Sequence, residues 1–299
     1  MKISLYKHFV YSVQGLIKVL DILLKKFFNK NEFLPNIHDA IEKRQYRSII
    51  VNNQNISFFV PSTLSNWRID NFFTKEPETL NWIDNFKIQN SEKIIFWDIG
   101  ANIGQYSIYA ALKFKDIEII SFEPSTSNTR ILSRNISLNQ LYDKINIFPL
   151  ALSDKENVIA SFNETMFKEG GSMTNFESNT DYVGNKLLDD KIKNRYNIFG
   201  TSIDSLITNK IIDVPNYIKI DVDGIEHLVL NGAKNLLKNP NLKELSIEMN
   251  PDFSDQYNFI DEIMKDNGFK KISSTNARLI NSKYKRHLNE AENAIFKRT

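Results

Sequence analysis

Two acidic residues stand at the ends of two apolar runs and are the first residues of this chain suited to binding chemistry. Asp98 follows the apolar run 94–97, and a turn with Gly100 and Gly104 leads from it into a stretch with helical apolar spacing. Glu123 closes the run 118–122. The carboxyl ends of parallel strands form the edge at which nucleotide-type ligands bind. We therefore expect a cofactor site here, with Glu123 at an exposed strand tip accepting hydrogen bonds from both hydroxyls of a ribose.

The turn after the first run has features that suit close contact with a ligand. Its glycines allow the backbone to approach the ligand and the next helix to pack on the strand. Amides at the N-terminus of that helix favour an anionic group, and Asp98 is placed to receive an ammonium group. The spacing is Gly-x-x-x-Gly, whereas dinucleotide enzymes carry Gly-x-Gly-x-x-Gly, which disfavours NAD. The alternative is two ordinary turns, each with an acid.

A second group of polar residues follows the apolar run 217–220. Asp221 and Asp223 end this run, Gly224 forms a turn, and His227 lies at the start of the next predicted helix. A carboxylate above the central strand is a candidate general base or metal ligand, and a histidine is a candidate base near neutral pH. We therefore predict Asp221 and His227 as catalytic residues. The alternative is that Asp223 caps the helix and His227 lies at the surface.

Metal binding is a further alternative at this edge of the sheet. Glu248 and Asn250 follow the next strand and, with Asp221, offer oxygen ligands for an ion such as Mg²⁺. The chain contains no cysteine, which excludes thiolate ligands and disulfides. We predict no metal and keep a divalent ion as the alternative.

Apolar strands and helices alternate from residue 93 onward. The predicted strands lie near 94–99, 118–123, 144–150, 216–221, 243–249, 269–273 and 293–298. The predicted helices lie near 103–114, 126–139, 226–238 and 255–267. Continuous apolar strands between helices indicate a parallel sheet that is covered on both faces. The pattern predicts an α/β fold with a Rossmann-like, seven-stranded, doubly wound and mostly parallel sheet.

Two segments flank or interrupt this pattern. Residues 152–215 are not explained by a single helical crossover between two parallel strands. We interpret them as a flap beside the site, with a short helix at 202–207. Residues 36–90 are predicted as a small α/β extension, with a hairpin formed by 47–51 and 56–60 and a later helix that has Thr74 as its N-cap. The predicted domains are therefore 1–35, 36–90 and 91–299.

The first thirty residues differ from the rest of the chain in charge. They contain six Lys and one Asp. On a helical wheel Lys7, Lys18, Asp21 and Lys25 share one narrow face, and most of the rest of the helix surface is apolar. The apolar run is too short to span a bilayer, and no signal-peptide cleavage site follows it. Two interpretations stay open: a helix packed on the main domain or on a second subunit, and an amphipathic helix on an anionic membrane surface.

Overall composition narrows the functional class. The chain has 299 residues with 38 basic and 36 acidic side chains, and the net charge of +2 gives no nucleic-acid signature. The absence of cysteine is compatible with a reducing cytoplasm. We expect a cytoplasmic protein, with peripheral contact at the inner membrane surface as the alternative, and we expect no nucleic-acid partner.

Four motifs resemble those of the FkbM-family methyltransferases, which are class I enzymes that use S-adenosylmethionine (SAM). The motifs occur in the family's order and spacing over about residues 45–299. They are Asp98-Ile99-Gly100-Ala101-Asn102-Ile103-Gly104, Phe122-Glu123-Pro124, Ala151-Leu152-Ser153-Asp154 and Lys219-Ile220-Asp221-Val222-Asp223-Gly224. Relatives usually carry Glu at the position of Asp223. This difference changes how far the side chain reaches but not its charge.

The resemblance implies a role for each candidate residue. Those that would hold the methionine end of SAM are Asp98, Gly100, Asn102 and Gly104. Glu123 would hold the ribose, and Ser153 and Asp154 would contact the adenine. The implied chemistry is methyl transfer to a hydroxyl group of a sugar, glycan or related metabolite. Two alternatives remain: a non-catalytic scaffold with a SAM-type fold at a membrane surface, and a nucleotide-sugar or NAD enzyme.

Overall fold

The structure is a computed structural model that describes residues 2–87, 93–178, 180–276 and 291–299. It divides into two compact units, Met1–Tyr46 and Arg47–Thr299. The first unit contains helix α1, Lys2–Phe28, and helix α2, Phe33–Glu42. The predicted domain boundary between residues 90 and 91 lies outside the described residues.

The extension begins with the predicted hairpin, formed by β1, Tyr46–Val51, and β2, Gln54–Phe59. Its turn holds Asn52 and Asn53 at positive φ. The sequence pattern does not predict helix α3, Thr63–Asp70, because Pro61 and Ser62 interrupt the pattern. The Ser62 side chain in fact accepts a hydrogen bond from the Ser65 amide and starts this helix.

Helix α4, Pro77–Asp84, corrects the prediction that Thr74 is an N-cap. The N-cap is Glu76, and Pro77 occupies the first helical position. Proline is favoured there because its fixed φ suits the first turn and its missing N–H has no partner in that turn anyway. The helix therefore starts later than the predicted cap.

A seven-stranded sheet forms the centre of the second unit and confirms the predicted fold class. Its strands are β3, Ile94–Ile99; β4, Ile117–Phe122; β5, Ile145–Phe148; β10, Tyr217–Ile220; β11, Glu244–Met249; β12, Phe269–Asn276; and β13, Glu292–Arg298. The strand order is β12-β13-β11-β10-β3-β4-β5. Strands β3, β4, β5, β10 and β11 are parallel, and β13 runs antiparallel to both of its neighbours. The chain order reverses direction between β3 and β10, which is where open α/β sheets bind ligands.

Helices cover the sheet and bury its strands. They are α5, Gln105–Lys113; α6, Thr126–Leu138; α8, Glu226–Asn231; and α9, Ser254–Asp266. A short 3₁₀ helix, Leu236–Lys238, follows α8 within the range predicted as one helix. Trp97, Phe122 and Ile220 are among the buried residues of an extended apolar cluster. Burial on both faces explains why these strands are continuously apolar in sequence.

The segment predicted as a flap contains a second sheet. Its strands are β6, Ala151–Leu152; β7, Val158–Glu164; β8, Thr174–Phe176; and β9, Asn194–Thr201, in the order β6-β9-β7-β8. Helix α7, Ile203–Thr208, follows and is capped by the Ser202 side chain. The sequence pattern anticipated the helix but not the strands, because β7 and β9 are partly exposed and mix polar with apolar residues without strict alternation or a continuous apolar run.

Candidate active site

A cavity of about 670 Å³ lies at the carboxyl ends of β3, β4, β10 and β11. The residues at or just after the ends of these strands that line it include Gly100, Glu123, Asp221 and Glu248. Side chains of α3, of the segment after it and of the small sheet complete the wall. A volume of this order suits an organic ligand or cofactor. The cavity therefore lies at the edge that the sequence predicted.

The turn after β3 depends on its first glycine. Gly100 has a φ of +84°, and a Cβ placed on it would lie 1.8 Å from the carbonyl oxygen of Asp221. Only glycine fits this approach of two strand ends. Gly104 has a φ of +89°, packs against Leu132 of α6, and is not among the cavity-lining residues. Its role is thus helix packing rather than contact with a ligand.

Glu123 lines the cavity but is buried, which corrects the expectation of an exposed strand tip. It is 5% exposed. Its Oε2 accepts a hydrogen bond from the Asn102 amide at 2.7 Å, and its Oε1 accepts one from the Ser125 amide at 2.8 Å. Burial raises the pKa of Glu123 to about 7. Each carboxylate oxygen keeps a further lone pair, so Glu123 can still accept bonds from two hydroxyls.

Asn102 presents an unused hydrogen-bond acceptor in the cavity wall. Its Nδ2 donates to the carbonyl of Gly171 at 2.7 Å, which orients the amide. Its Oδ1 is buried without a hydrogen-bond partner in the described part of the chain. A buried acceptor with no partner is costly, and the N–H of an amino-acid-like ligand can satisfy it. The residues present therefore fit a cofactor of the SAM type.

Asp98 lies beneath the cavity rather than in its lining. It is fully buried, and its Oδ2 accepts hydrogen bonds from the Ser107 amide at 3.1 Å and the Ser107 hydroxyl at 2.6 Å. Its Oδ1 has no partner among the described residues. Burial raises the pKa of Asp98, and the nearby Lys219 offsets part of that effect. The structure thus gives Asp98 a clear role in fixing the start of α5.

Ser153 and Asp154, predicted to contact the adenine, do not line the cavity. The Ser153 amide continues the pairing of β6 with β9 through the carbonyl of Thr201 at 3.0 Å. Asp154 turns towards α8 and accepts a hydrogen bond from Asn231 at 3.1 Å. The preceding residues, Leu150, Ala151 and Leu152, face the cavity instead. With Phe162 and Phe176 they form an apolar end suited to a flat ring.

Asp221 lines the cavity and forms an ion pair with a buried lysine. The Lys219 Nζ lies 2.7 Å from its Oδ2. Lys219 also lies 4.9 Å from the centre of the Tyr106 ring. Burial by itself raises the pKa of Asp221, but the ammonium groups of Lys219 and Lys75 outweigh burial and hold the pKa well below its usual range. Asp221 is therefore an anion at neutral pH.

His227 is not brought to the cavity. Its ring packs edge-on against Phe253 and Phe259, and its Nδ1 lies 3.3 Å from Nε2 of Gln256. Partial burial lowers the pKa of His227. The first turn of α8 points this side chain towards α9, whereas Asp221 points into the cavity. The structure therefore gives no support to His227 as a base.

Asp223 and Glu248 also face the cavity and were not predicted as catalytic. Asp223 has a pKa raised to about 6 by burial and by the charge of Asp221, and its Oδ2 accepts a hydrogen bond from the Thr174 amide at 3.1 Å. Glu248 has a pKa well above its usual value, chiefly because of the charge of Asp221 and then burial. The sequence signal for Glu248 is its position near the carboxyl end of β11, beside the end of β10.

The extension supplies another part of the wall that the sequence pattern did not predict. Trp67, Arg68 and Lys75 line the cavity from α3 and the segment after it. Arg68 is 7% exposed, and its Nε donates to the carbonyl of Gly170 at 2.8 Å. This contact joins α3 to the loop between β7 and β8, so both segments are fixed over the strand ends.

The metal alternative has no support among the residues that the structure describes. Within them no group of three His, Asp or Glu side chains is close enough to hold a metal ion. Asp221 has Lys219 as its partner. Asn250 is buried and uses its Oδ1 to accept a hydrogen bond from the Asp252 amide at 3.0 Å.

Comparison with known proteins finds a match to one family model. The Methyltransferase FkbM domain matches residues 98–271. A curated relative, methyltransferase sdnD of Sordaria araneosa, is 31% identical over 88 residues, which are 29% of this chain and 33% of the relative. The chain thus matches about a third of that relative's length.

Solved structures are similar to this chain at lower sequence identity. Methyltransferase FkbM from Methylobacillus flagellatus KT has 16% identity and a TM-score of 0.42, over 78% of this chain and 52% of that protein. TrmK of M. capricolum, solved with S-adenosyl-homocysteine, has 11% identity and a TM-score of 0.42, over 74% of this chain and 67% of that protein.

The family match agrees with the fold and the site described above. It confirms the resemblance noted from the four motifs, and with it the SAM cofactor that this resemblance implies. Because the matched domain spans more than half of the chain, this protein belongs to the FkbM methyltransferase family.

Proposed function

We propose that this chain transfers the methyl group of SAM to a hydroxyl group on a sugar, a glycan or a related metabolite. One observation carries the proposal. A single cavity joins the strand-end residues suited to the cofactor, Asn102 and Glu123, to carboxylates that can act on an acceptor, Asp221, Asp223 and Glu248. A scaffold without catalysis has no need for a set of buried, closely spaced acids, which lower stability.

The cofactor side of the cavity is the edge that follows β3 and β4. Glu123 would hold the ribose hydroxyls, and the free Oδ1 of Asn102 would accept from the amino group. The apolar end formed by Leu152, Phe162 and Phe176 would enclose the adenine ring. SAM supplies an electrophilic methyl group on a positively charged sulfur. An acid-lined cavity suits that charge.

On the acceptor side, the chain's own groups divide into a fixed anion and proton acceptors. Asp221 stays ionised because of Lys219 and stabilises positive charge that develops on the attacking hydroxyl. Asp223 and Glu248 have raised pKa values, and a base works best when its pKa lies near the operating pH. We propose that one of these two carboxylates removes the hydroxyl proton.

The wall opposite the strand ends supports a sugar as the acceptor. It combines the Trp67 ring with hydrogen-bonding side chains, among them Asn71, Thr74 and Glu76. An aromatic face with polar groups around it can contact both the apolar face and the hydroxyls of a sugar ring.

Methyl transfer can be tested with SAM that carries a labelled methyl group. The acceptors are monosaccharides, uronic acids, nucleotide sugars and oligosaccharides, with tRNA as a comparison. We expect label in a saccharide that survives alkali, because a methyl ether is stable to base and a methyl ester is not. The variant Asp221→Asn should transfer much less. Label found only in tRNA, or only as an alkali-labile ester, would contradict the proposed acceptor group.

A further inference from the structure

Helix α1 carries an exposed apolar face that runs along its whole length. The face consists of six residues that lie within about 60° of one another on a wheel of 100° per residue. They are Leu5, Phe9, Leu16, Leu20, Leu23 and Phe27. All six are exposed, and Phe9 and Phe27 are exposed by 68% and 75%. Exposed apolar surface of this extent marks an interaction surface rather than a solvent-facing helix.

The opposite side of the same helix is basic. Lys7, Lys18 and Lys25 lie about 180° from the centre of the apolar face, and all three are exposed. Lys26 adds a charge in the last turn, and the first turn contains no acid. The helix therefore places three lysines opposite the apolar face, although Tyr11 and Ile22 are also exposed on the lysine side.

The charge of the chain is concentrated in this segment. Residues 1–30 contain six Lys and one Asp, a net charge of +5, whereas the whole chain carries +2. The remaining residues therefore carry a net charge of −3. Residues 1–30 are thus cationic and the other residues together are weakly acidic. An anionic partner is therefore attracted to the helix and not to the rest of the chain.

The length and charge of α1 fit a helix that lies along a surface. Its 27 residues extend over roughly 40 Å. Among the described residues, no helix is long and apolar enough to cross a membrane. An amphipathic helix of low mean hydropathy, with lysines on one face and aromatic and aliphatic residues on the other, lies in the plane of a lipid surface.

We propose that α1 docks this face onto a membrane surface rich in anionic lipids and so holds the enzyme at that surface. The apolar residues enter the boundary between headgroups and acyl chains, while the lysines remain near the phosphates. A second copy of the chain is the competing occupant. Charge disfavours it, because pairing two such helices brings two segments of +5 together. The inference does not depend on the proposed methyl acceptor.

Vesicle flotation of the full-length chain tests this inference. The vesicles contain either phosphatidylcholine alone or phosphatidylcholine with about a third of phosphatidylglycerol, at low and high salt. We expect the protein to float with the anionic vesicles and to be released by salt, because salt screens the attraction between the lysines and the anionic surface. Binding should be at least 10-fold weaker to the neutral vesicles.

Three sets of substitutions test the apolar face, the basic face and, as a control, the general effect of removing lysines. Phe9→Ser with Leu16→Ser and Phe27→Ser should abolish flotation, and Lys7→Gln with Lys18→Gln and Lys25→Gln should weaken it by on the order of 100-fold. The control set is Lys234→Gln, Lys238→Gln and Lys265→Gln, which removes three exposed lysines elsewhere and should leave flotation unchanged. All variants should retain the thermal unfolding midpoint of the parent chain.

Three results would overturn the inference. The first is the absence of flotation on anionic vesicles, and the second is equal flotation of the parent chain and the Lys7, Lys18 and Lys25 variant. The third is a dimer in light scattering that the substitutions of the apolar face convert to a monomer, since a second copy would then be the occupant.

Discussion

The ammonium nitrogen of Lys219 lies 2.7 Å from Oδ2 of Asp221, in the wall of the cavity, and the Lys219 side chain is only 2% exposed. The two residues are two positions apart at the end of β10, so the strand pleat places them on the same face. Lys219 is also within electrostatic range of Glu76 and Asp98. One buried cation therefore stabilises a group of acids at the central strand of the sheet.

Removing that cation should destabilise the protein strongly. We expect Lys219→Met to lower the free energy of unfolding by roughly 3–5 kcal/mol, because it leaves Asp221 buried beside other acids without a partner. The double variant Lys219→Met/Asp221→Asn should recover a large part of this loss. Denaturant unfolding measures the stability of both variants. The control is Asp189→Asn, which breaks the exposed ion pair with Arg195 and should cost at most about 1 kcal/mol. A Lys219→Met protein as stable as the parent would contradict the assigned pair.

Turnover should respond to Asp221 but not to His227. Asp221→Asn should lower kcat by roughly 100-fold or more, because the fixed anion at the acceptor side is lost. His227→Ala should stay within about 2-fold of the parent chain, because the ring packs against Phe253 and Phe259 outside the cavity lining. Steady-state rates with labelled SAM measure both. A large loss in His227→Ala at full SAM affinity would restore the histidine as a candidate base.

Gly100 should tolerate no side chain. Gly100→Ala should greatly weaken SAM binding and lower the unfolding midpoint, because its Cβ would lie 1.8 Å from a backbone oxygen. Gly268→Ala is a matched control: its φ of +78° imposes similar backbone strain, but nothing lies within 4 Å of its Cβ. Only the Gly100 variant should lose SAM affinity. Equal effects of the two substitutions would show that strain alone, and not the contact with Asp221, explains the requirement.

Glu248 should make the unliganded protein less stable as pH rises. Its pKa is raised in the folded state, so the folded protein binds more protons than the unfolded chain above about pH 4.5, and stability falls from there upward. Glu248→Gln should therefore raise the unfolding midpoint at pH 8 by roughly 2–4 °C for each kcal/mol of penalty removed, with little change at pH 4.5. Glu156→Gln, at an exposed position, should change neither. Equal midpoints of Glu248→Gln and the parent chain at pH 8 would contradict this.

The sequence predicted the sheet and its binding edge because both follow from short-range patterns. Continuous apolar strands, the glycine turn and the acid after β4 are local features, and the structure places Gly100, Asn102, Glu123 and Asp221 around one cavity. The pairing of Lys219 with Asp221 was also readable, since alternation along a strand places both on one face.

Other parts of the site depend on packing that local patterns do not encode. Ser153 and Asp154 follow a strand, but β6 pairs with β9 and carries them away from the cavity. The sequence gives only the distance of His227 from Asp221 along the chain, whereas the first turn of α8 sets the direction of the His227 side chain. The wall with Trp67 comes from α3, a helix whose start looked like a break in the sequence pattern.

Calorimetric titration of the unliganded protein shows whether the cavity at the ends of β3 and β4 binds SAM through Glu123. We expect saturable binding of SAM at one site per chain and no comparable binding of NAD. The affinity should fall below about pH 7, as Glu123 takes up a proton. In Glu123→Ala, with folding verified by circular dichroism, binding should weaken by roughly 2–3 kcal/mol, whereas the exposed control Glu156→Ala should bind as the parent chain does. Binding of NAD in place of SAM, or full SAM affinity in folded Glu123→Ala, would rule out this cofactor site.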